Sequence, residues 1–238
     1  MNEADQPADG AAGAPFQNQL VPEVPAAAAA LFGDATDAAA RYVAMLASDG
    51  VVRGLIGPRE VPRLWERHVL NSVALAEAVP QGARVVDVGS GAGLPGIPLG
   101  LARPDLALTL VEPMSRRVEF LQDVVRVLDV PWRIIRGRAE ERSVVREVGP
   151  VDVVTARAVA PLPRLVGWCR GLLSPGAQLI ALVGARAAAE VPDLVPELEA
   201  AGMRDVHTRA VGADLGAAAT TVVVMTRSGT PRSARSTG

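Results

Sequence analysis

The residues best placed to do chemistry cluster around one stretch, Ala83 to Gly96, which reads A-R-V-V-D-V-G-S-G-A-G-L-P-G. Asp87 stands two residues before the first of three alternating glycines, Gly89, Gly91 and Gly93. Glycine in such a loop permits a tight turn and a close approach of backbone to ligand. Glu112 follows 23 residues beyond Gly89, the spacing at which an acid closing the next strand can accept both hydroxyls of a ribose. Gly91–Gly96 also fits G-x-G-x-x-G, the dinucleotide fingerprint, a match that is weak by itself. Asp87 speaks against a pyrophosphate, which like charge would repel, and for a ligand carrying an ammonium and a sulfonium. Binding of NAD(P), and glycines that serve the fold alone, are the competing readings.

Other candidates lie on both sides of that loop. Upstream, His68, Asn71 and Ser72 fall at i, i+3 and i+4 and would share a helix face, with Arg63 and Arg67 nearby. That set reads either as a solvated helix side or as a lid whose arginines grip phosphate while His68 and Asn71 approach a substrate. Arg116 and Arg117 open a helix, where cations oppose the helix dipole, so they are either phosphate ligands or exposed charges. Ala139 and Glu140, after a third strand, are placed to meet an adenine ring. Arg157 ends a fourth strand; always cationic, it can anchor a ligand by its forked donors but cannot act as a base. Cys169 lies mid-helix and reads as core.

The elements that must position these residues follow from periodicity. Val85, Val86 and Val88 suit a buried strand, and Leu94-Pro95-Gly96 reads as the first turn of the next helix. Upstream, Ala26–Phe32 and Asp34–Ala47 read as helices, and Pro58–Val79 as the longest N-terminal helix. Downstream come strands over 107–111, 132–136, 151–155 and 178–183, and helices over 114–127, 162–173 and 186–201, the last interrupted near Pro192 and Pro196. Met203–Val211 and Thr220–Thr226 form a closing pair. The expected fold is α/β, a doubly wound, seven-stranded, mostly parallel sheet with an N-terminal helical extension. The divisions are a disordered acidic tail over 1–25, a helical cap over 26–79, the sheet domain over 80–226 and a loose basic tail over 227–238.

Length and charge set outer bounds. The chain has 238 residues, enough for a sizeable core, and 49% hydrophobic residues. It has no apolar run long enough for a membrane span, and its N-terminus lacks the pattern of a secretory signal. A lone cysteine excludes an intrachain disulfide and offers no metal cluster. A cytoplasmic location, no metal and a monomeric state are expected. Net charge is −2. Six acids and no arginine fall within residues 1–40, leaving 20 acids against 24 arginines, or +4, for the rest. Such a body is compatible with RNA binding without demanding it.

D-V-G-S-G-A-G resembles motif I of class I S-adenosylmethionine-dependent methyltransferases, a Rossmann-like fold. Methyltransferases of exocyclic amines commonly carry N-P-P-Y after strand four, and those acting on pyrimidine C5 need a cysteine nucleophile. Thr155-Ala156-Arg157-Ala158 offers neither. Guanine N7 carries a lone pair and no proton, so transfer there needs alignment rather than a base.

Further stretches sharpen the resemblance: E-R-H-V-L-N-S (66–72), the L-P-G-I-P-L continuation of motif I, R-R-V-E-F-L (116–121), G-R-A-E-E (137–141) and V-T-A-R-A-V-A-P-L (154–162). Together they resemble the bacterial 16S rRNA guanine-N7 methyltransferase family, RsmG or GidB. The resemblance implies methyl transfer from S-adenosyl-L-methionine to one guanine N7 in the 530 loop of 16S rRNA, with rRNA or the small ribosomal subunit as partner. It implies that Asp87, Gly89, Gly91, Leu94, Glu112, Ala139, Glu140 and Arg157 form the cofactor site. It makes His68, Asn71 and Arg157 positioning residues and sets Arg63, Arg67, His68, Arg116 and Arg117 toward RNA. Asn71 stands where the family often has Asp, and Val51–Pro58 departs from the usual N-L-T ending. Another RNA or a small molecule as methyl acceptor is the nearest alternative, and an NAD(P)-dependent oxidoreductase a further one.

Overall fold

The computed structural model describes residues 21–157 and 160–229. The expected tails over 1–20 and 230–238, and Ala158 and Val159 of the fourth-strand motif, lie outside the described residues. Residues 21–25, expected to belong to the tail, are tied to the body where Trp65 Nε1 donates to the Pro22 carbonyl at 3.2 Å.

Two helices open the described chain, α1 (Ala26–Phe32) and α2 (Thr36–Met45), and a wide π turn over Leu46–Gly50 extends the second. The single helix expected over 58–79 is instead a succession of short pieces. These are a 3-10 stretch (Pro58–Arg63), a π stretch (Leu64–Leu70), α3 (Asn71–Val73) and a 3-10 turn (Ala74–Ala78). Pro62 has no N–H to give and its ring crowds the preceding turn, which opposes one continuous α-helix running through it from Pro58. The wide turn that follows brings residues five apart into line, and Leu64 with Val69 and Trp65 with Leu70 are all buried. The polar face expected to unite His68, Asn71 and Ser72 also divides: Ser72 is buried and donates to the His68 carbonyl.

The remainder alternates β1 (Arg84–Val88), α4 (Gly96–Ala102), β2 (Ala107–Glu112), α5 (Ser115–Leu128), β3 (Arg133–Arg136), α6 (Arg142–Val148) and β4 (Val153–Arg157). It continues with α7 (Leu162–Cys169), β5 (Gln178–Val183), α8 (Ala185–Ala200), β6 (Met203–Val211) and β7 (Thr220–Arg227). The seven strands form one sheet in the order β3-β2-β1-β4-β5-β7-β6, in which β7 runs antiparallel to both neighbours. The expected doubly wound sheet is present. Three local differences stand out. The helix after the glycine loop starts at Gly96, the first residue after Pro95. The helix expected over 162–173 ends at Cys169. Pro192 and Pro196 do not interrupt α8; both lie on its exposed side, where the carbonyls they leave unbonded can reach water.

Period-2 alternation divides the core between the faces of the sheet. Val85, Leu108, Leu110 and Val153 pack with the N-terminal helices, α4 and α5. Val86, Val111, Val154 and Ala156 pack with α6, α7 and α8. By the same alternation Asp87 and Arg157 point to the face covered by the N-terminal segment, which brings residues 42–72 over the end of the sheet.

Candidate active site

Strands β1, β2, β3 and β4 pair in parallel, so their carboxyl ends share one edge. From β1 the chain winds outward through β2 to β3, then returns to place β4 on the other side of β1. A crevice opens at such a switch point because the two connections leave in opposite directions. The glycine loop, Glu112, Gly137 and Arg157 all follow or end those four strands.

Asp87 is fully buried beneath the loop. Its Oδ2 accepts from the Gly96 N–H at 3.1 Å, tying β1 to the start of α4. A Cβ on Gly96 would come within 2.7 Å of that oxygen and 2.6 Å of a Leu110 methyl, so glycine is what lets the helix start lie so close. Burial pushes the Asp87 carboxyl up to about 7, against the pull of the Gly96 hydrogen bond and the Arg157 charge. Its other oxygen, Oδ1, and the hydroxyl of Thr155 are buried without hydrogen-bond partners among the described residues, and the two residues are in register on β1 and β4. The loop is also held from above, where the Tyr42 hydroxyl of α2 donates to the Ala92 carbonyl at 2.8 Å.

Glu112 is 1% exposed. Its Oε2 accepts from the Gly91 N–H and its Oε1 from the Met114 N–H, both at 3.0 Å, with Arg117 Nη1 3.7 Å from Oε2. Each oxygen keeps a lone pair for a further donor. Beside it opens a crevice of about 410 Å³ lined by Gly89, Val111, Pro113, Gly137, Ala139, Glu140 and Trp168. It is mostly apolar, with backbone groups at its edge, and suits a flat heterocycle. Leu94, by contrast, is buried in the core with the N-terminal helices, so its side chain serves the loop's packing.

A second pocket of about 660 Å³ lies on the same edge, between Arg67, His68, Asn71, Arg157, Gly184 and Thr220. Arg157 Nη2 lies 3.2 Å from His68 Nδ1, and His68 Nε2 lies 2.9 Å from Glu60 Oε2. Burial lowers the His68 pKa most and the Arg157 charge adds to that, outweighing the Glu60 hydrogen bond. Asn71 Nδ2 donates to the Ala218 carbonyl at 3.3 Å, fastening this segment to the turn before β7.

The arginines expected to face RNA behave differently from one another. Arg63, Arg67 and Arg116 are exposed, while Arg67 is 3.5 Å from Glu60 and Arg117 turns inward to Glu112. Cys169 is fully buried and its thiol is pushed up to about 12, as core packing requires. Tyr42, Glu60, Pro113 and Trp168 join the site without any sequence motif to mark them. Among the described residues, no cluster of His, Cys, Asp and Glu is arranged to hold a metal, and no helix is long and apolar enough to cross a membrane.

The chain matches the family model GidB, rRNA small subunit methyltransferase G, over residues 35–216. Two relatives called ribosomal RNA small subunit methyltransferase G resemble it closely. That of Mycobacterium sp. strain KMS is 53% identical over 212 residues, covering 89% of this chain and 93% of its own. That of Salinispora arenicola is 53% identical over 198 residues, covering 80% and 82%. Among solved structures, Methanococcus jannaschii fibrillarin pre-rRNA processing protein superposes with a TM-score of 0.50 at 17% identity, over 64% of this chain and 70% of that one. A protein of the NADB-Rossmann superfamily from Streptococcus agalactiae gives 0.50 at 18% identity, over 68% and 70%. At those identities the likeness is one of fold. By the family model and the identity of its relatives, this chain belongs to the GidB family of rRNA small subunit methyltransferases.

Proposed function

We propose that this protein transfers a methyl group from S-adenosyl-L-methionine to N7 of a single guanine in the 530 loop of 16S rRNA. The observation that carries this reading is the pairing, on one sheet edge, of an apolar crevice beside Glu112 with a separate pocket walled by His68, Asn71 and Arg157. The residues present fit the donor: Glu112 offers acceptor lone pairs for a ribose, the apolar walls near Ala139 and Trp168 accept adenine, and Asp87 brings a buried carboxyl with an unpartnered oxygen toward a cationic centre. Bound S-adenosylmethionine supplies an electrophilic methyl on its sulfonium.

The protein's own part is alignment. Both ring nitrogens of His68 are engaged, one by Glu60 and one by Arg157, so neither is free to take a substrate proton. An acceptor with an in-plane lone pair and no proton makes no such demand, and holding it in line with the donor supplies the acceleration. Arg157 and Arg67 contribute cationic donors to the pocket wall, suited to phosphate or to guanine O6. Exposed Arg63 and Arg116 extend that charge outward. Family membership removes the oxidoreductase reading and leaves another RNA or a small molecule as the alternative acceptor.

The test is methylation of small ribosomal subunits, and separately of free 16S rRNA, from a strain lacking this gene. Chain cleavage at N7-methylguanine followed by primer extension should reveal one new stop, in the 530 loop. A methyl group on another atom, another RNA or only a small molecule overturns the assignment.

A further inference from the structure

Nothing in the motif spacing marks Glu60, yet its carboxylate begins a chain of contacts that ends in the wall of the second pocket. Resting on the reading of that pocket as the place of the target base, we propose that Glu60 is a positioning residue: it holds His68 as the Nε2–H tautomer, so that the bare Nδ1 receives Arg157 and fixes that guanidinium in the pocket wall.

The tautomer follows from the donors. A guanidinium has N–H groups and no acceptor, so at 3.2 Å from Arg157 Nη2 the His68 Nδ1 must accept. A neutral imidazole then carries its proton on Nε2, 2.9 Å from Glu60 Oε2. Arg67 lies 3.5 Å from the other carboxylate oxygen and steadies it. Without Glu60, no other side chain among the described residues bonds Nε2 to select the tautomer. The Nδ1–H form would set an N–H against the N–H of Arg157, and ring or guanidinium would have to turn away.

The charged groups around this chain are few. Glu60, Arg63 and Arg67 approach from the N-terminal segment and Arg157 from β4, while Tyr42 and Asp87 lie beyond Arg157. Arg157 is half-buried, and Glu60 reaches the surface with 31% of its side chain exposed. The selecting group is thus the outermost member of the chain, and the selected one lines the pocket.

The experiment reads tautomer and turnover separately. In long-range proton–nitrogen spectra of the full 15N-labelled chain, the two histidines are assigned with His207→Gln. Wild-type His68 should show a bare Nδ1 and a protonated Nε2. Glu60→Gln should keep that signature, since its amide oxygen still accepts, and Glu60→Ala should replace it with a mixture. On small subunits, Glu60→Ala should lower kcat about 10-fold with little change in donor KM, and Glu60→Gln by no more than about 2-fold, because only the orientation of Arg157 is at stake. In both variants the acid limb of kcat should move to lower pH, since the carboxylate that favours the imidazolium is gone. A wild-type His68 carrying its proton on Nδ1, or a Glu60→Ala variant with unchanged tautomer and unchanged kcat, overturns the proposal. Should wild type methylate no RNA at all, the reading of the pocket fails while the spectra still decide the role of Glu60.

Discussion

The hydroxyl of Tyr42 donates to the carbonyl of Ala92 at 2.8 Å, across fifty positions of sequence. One residue belongs to the N-terminal extension and the other to the glycine loop, so the extension is a brace for the loop as well as a cover. Tyr42 is fully buried, and burial raises its pKa well above the ordinary tyrosine value, which keeps the hydroxyl a donor. Tyr42→Phe should keep the packing and lose the bond, reducing stability by about 1–3 kcal/mol, the range for stranding one buried carbonyl. It should also weaken binding of S-adenosylhomocysteine several-fold. Urea unfolding and titration calorimetry measure the two effects, and unchanged affinity would confine Tyr42 to packing.

Asp87 gives the fold a pH dependence of defined sign. Its folded pKa of about 7 exceeds the unfolded value of about 3.9, so between those values the native state binds the extra proton. Its contribution to stability is full below the unfolded pKa and is lost as pH rises through about 7. Asp87→Asn, which cannot ionise, should be more stable than wild type by on the order of a few kcal/mol near pH 8.5, with the advantage vanishing near pH 4. Urea unfolding across that range is the measurement. A variant less stable at alkaline pH would mean that the Arg157 charge outweighs burial.

Two glycines should respond to alanine in opposite directions. A Cβ at Gly96 would meet Leu110 at 2.6 Å and Asp87 at 2.7 Å, so Gly96→Ala should destabilise by about 1–3 kcal/mol, the usual penalty for overpacking, and weaken donor binding. Gly167 is an exposed position inside α7 with open space around it. Gly167→Ala should stabilise by roughly 0.5–1 kcal/mol through backbone entropy. Thermal unfolding of both variants checks the contrast.

Arg116 and Arg117, adjacent in sequence, should separate in function. Arg116 is exposed, whereas Arg117 lies 3.7 Å from the buried Glu112 carboxylate. Arg116→Ala should reduce the slope of log affinity for rRNA against log salt by about 1, as for one lost phosphate contact, and leave donor affinity alone. Arg117→Ala should change donor affinity as well, because it alters the field at the ribose acceptor. Filter binding over a salt series, with calorimetry for the donor, distinguishes them. Equal effects on both measurements would show that the two side chains act as one rim.

What the sequence determined by itself was the part of the protein written in local patterns. Alternating and β-branched residues marked each strand, the D-V-G-S-G-A-G run marked the loop, and the acid closing β2 was legible from its spacing, because adjacent parallel strands place their ends at regular intervals along the chain. The location of Ala139 and Glu140 at the crevice followed in the same way. Only the tertiary structure decided which side chains meet across the sheet. Glu60 reaches His68 and Arg157, and Tyr42 reaches Ala92, through contacts between segments that no spacing relates. Residues 58–78 illustrate the limit: their helical spacing was plain, but Pro62 and the need to bury Leu64, Trp65, Val69 and Leu70 together replaced one α-helix with four pieces of different pitch. Asp87 shows it again. Its place at the end of β1 was written in the motif, while its burial beneath the loop depends on α4 beginning at Gly96, a residue small enough to let the helix close over it.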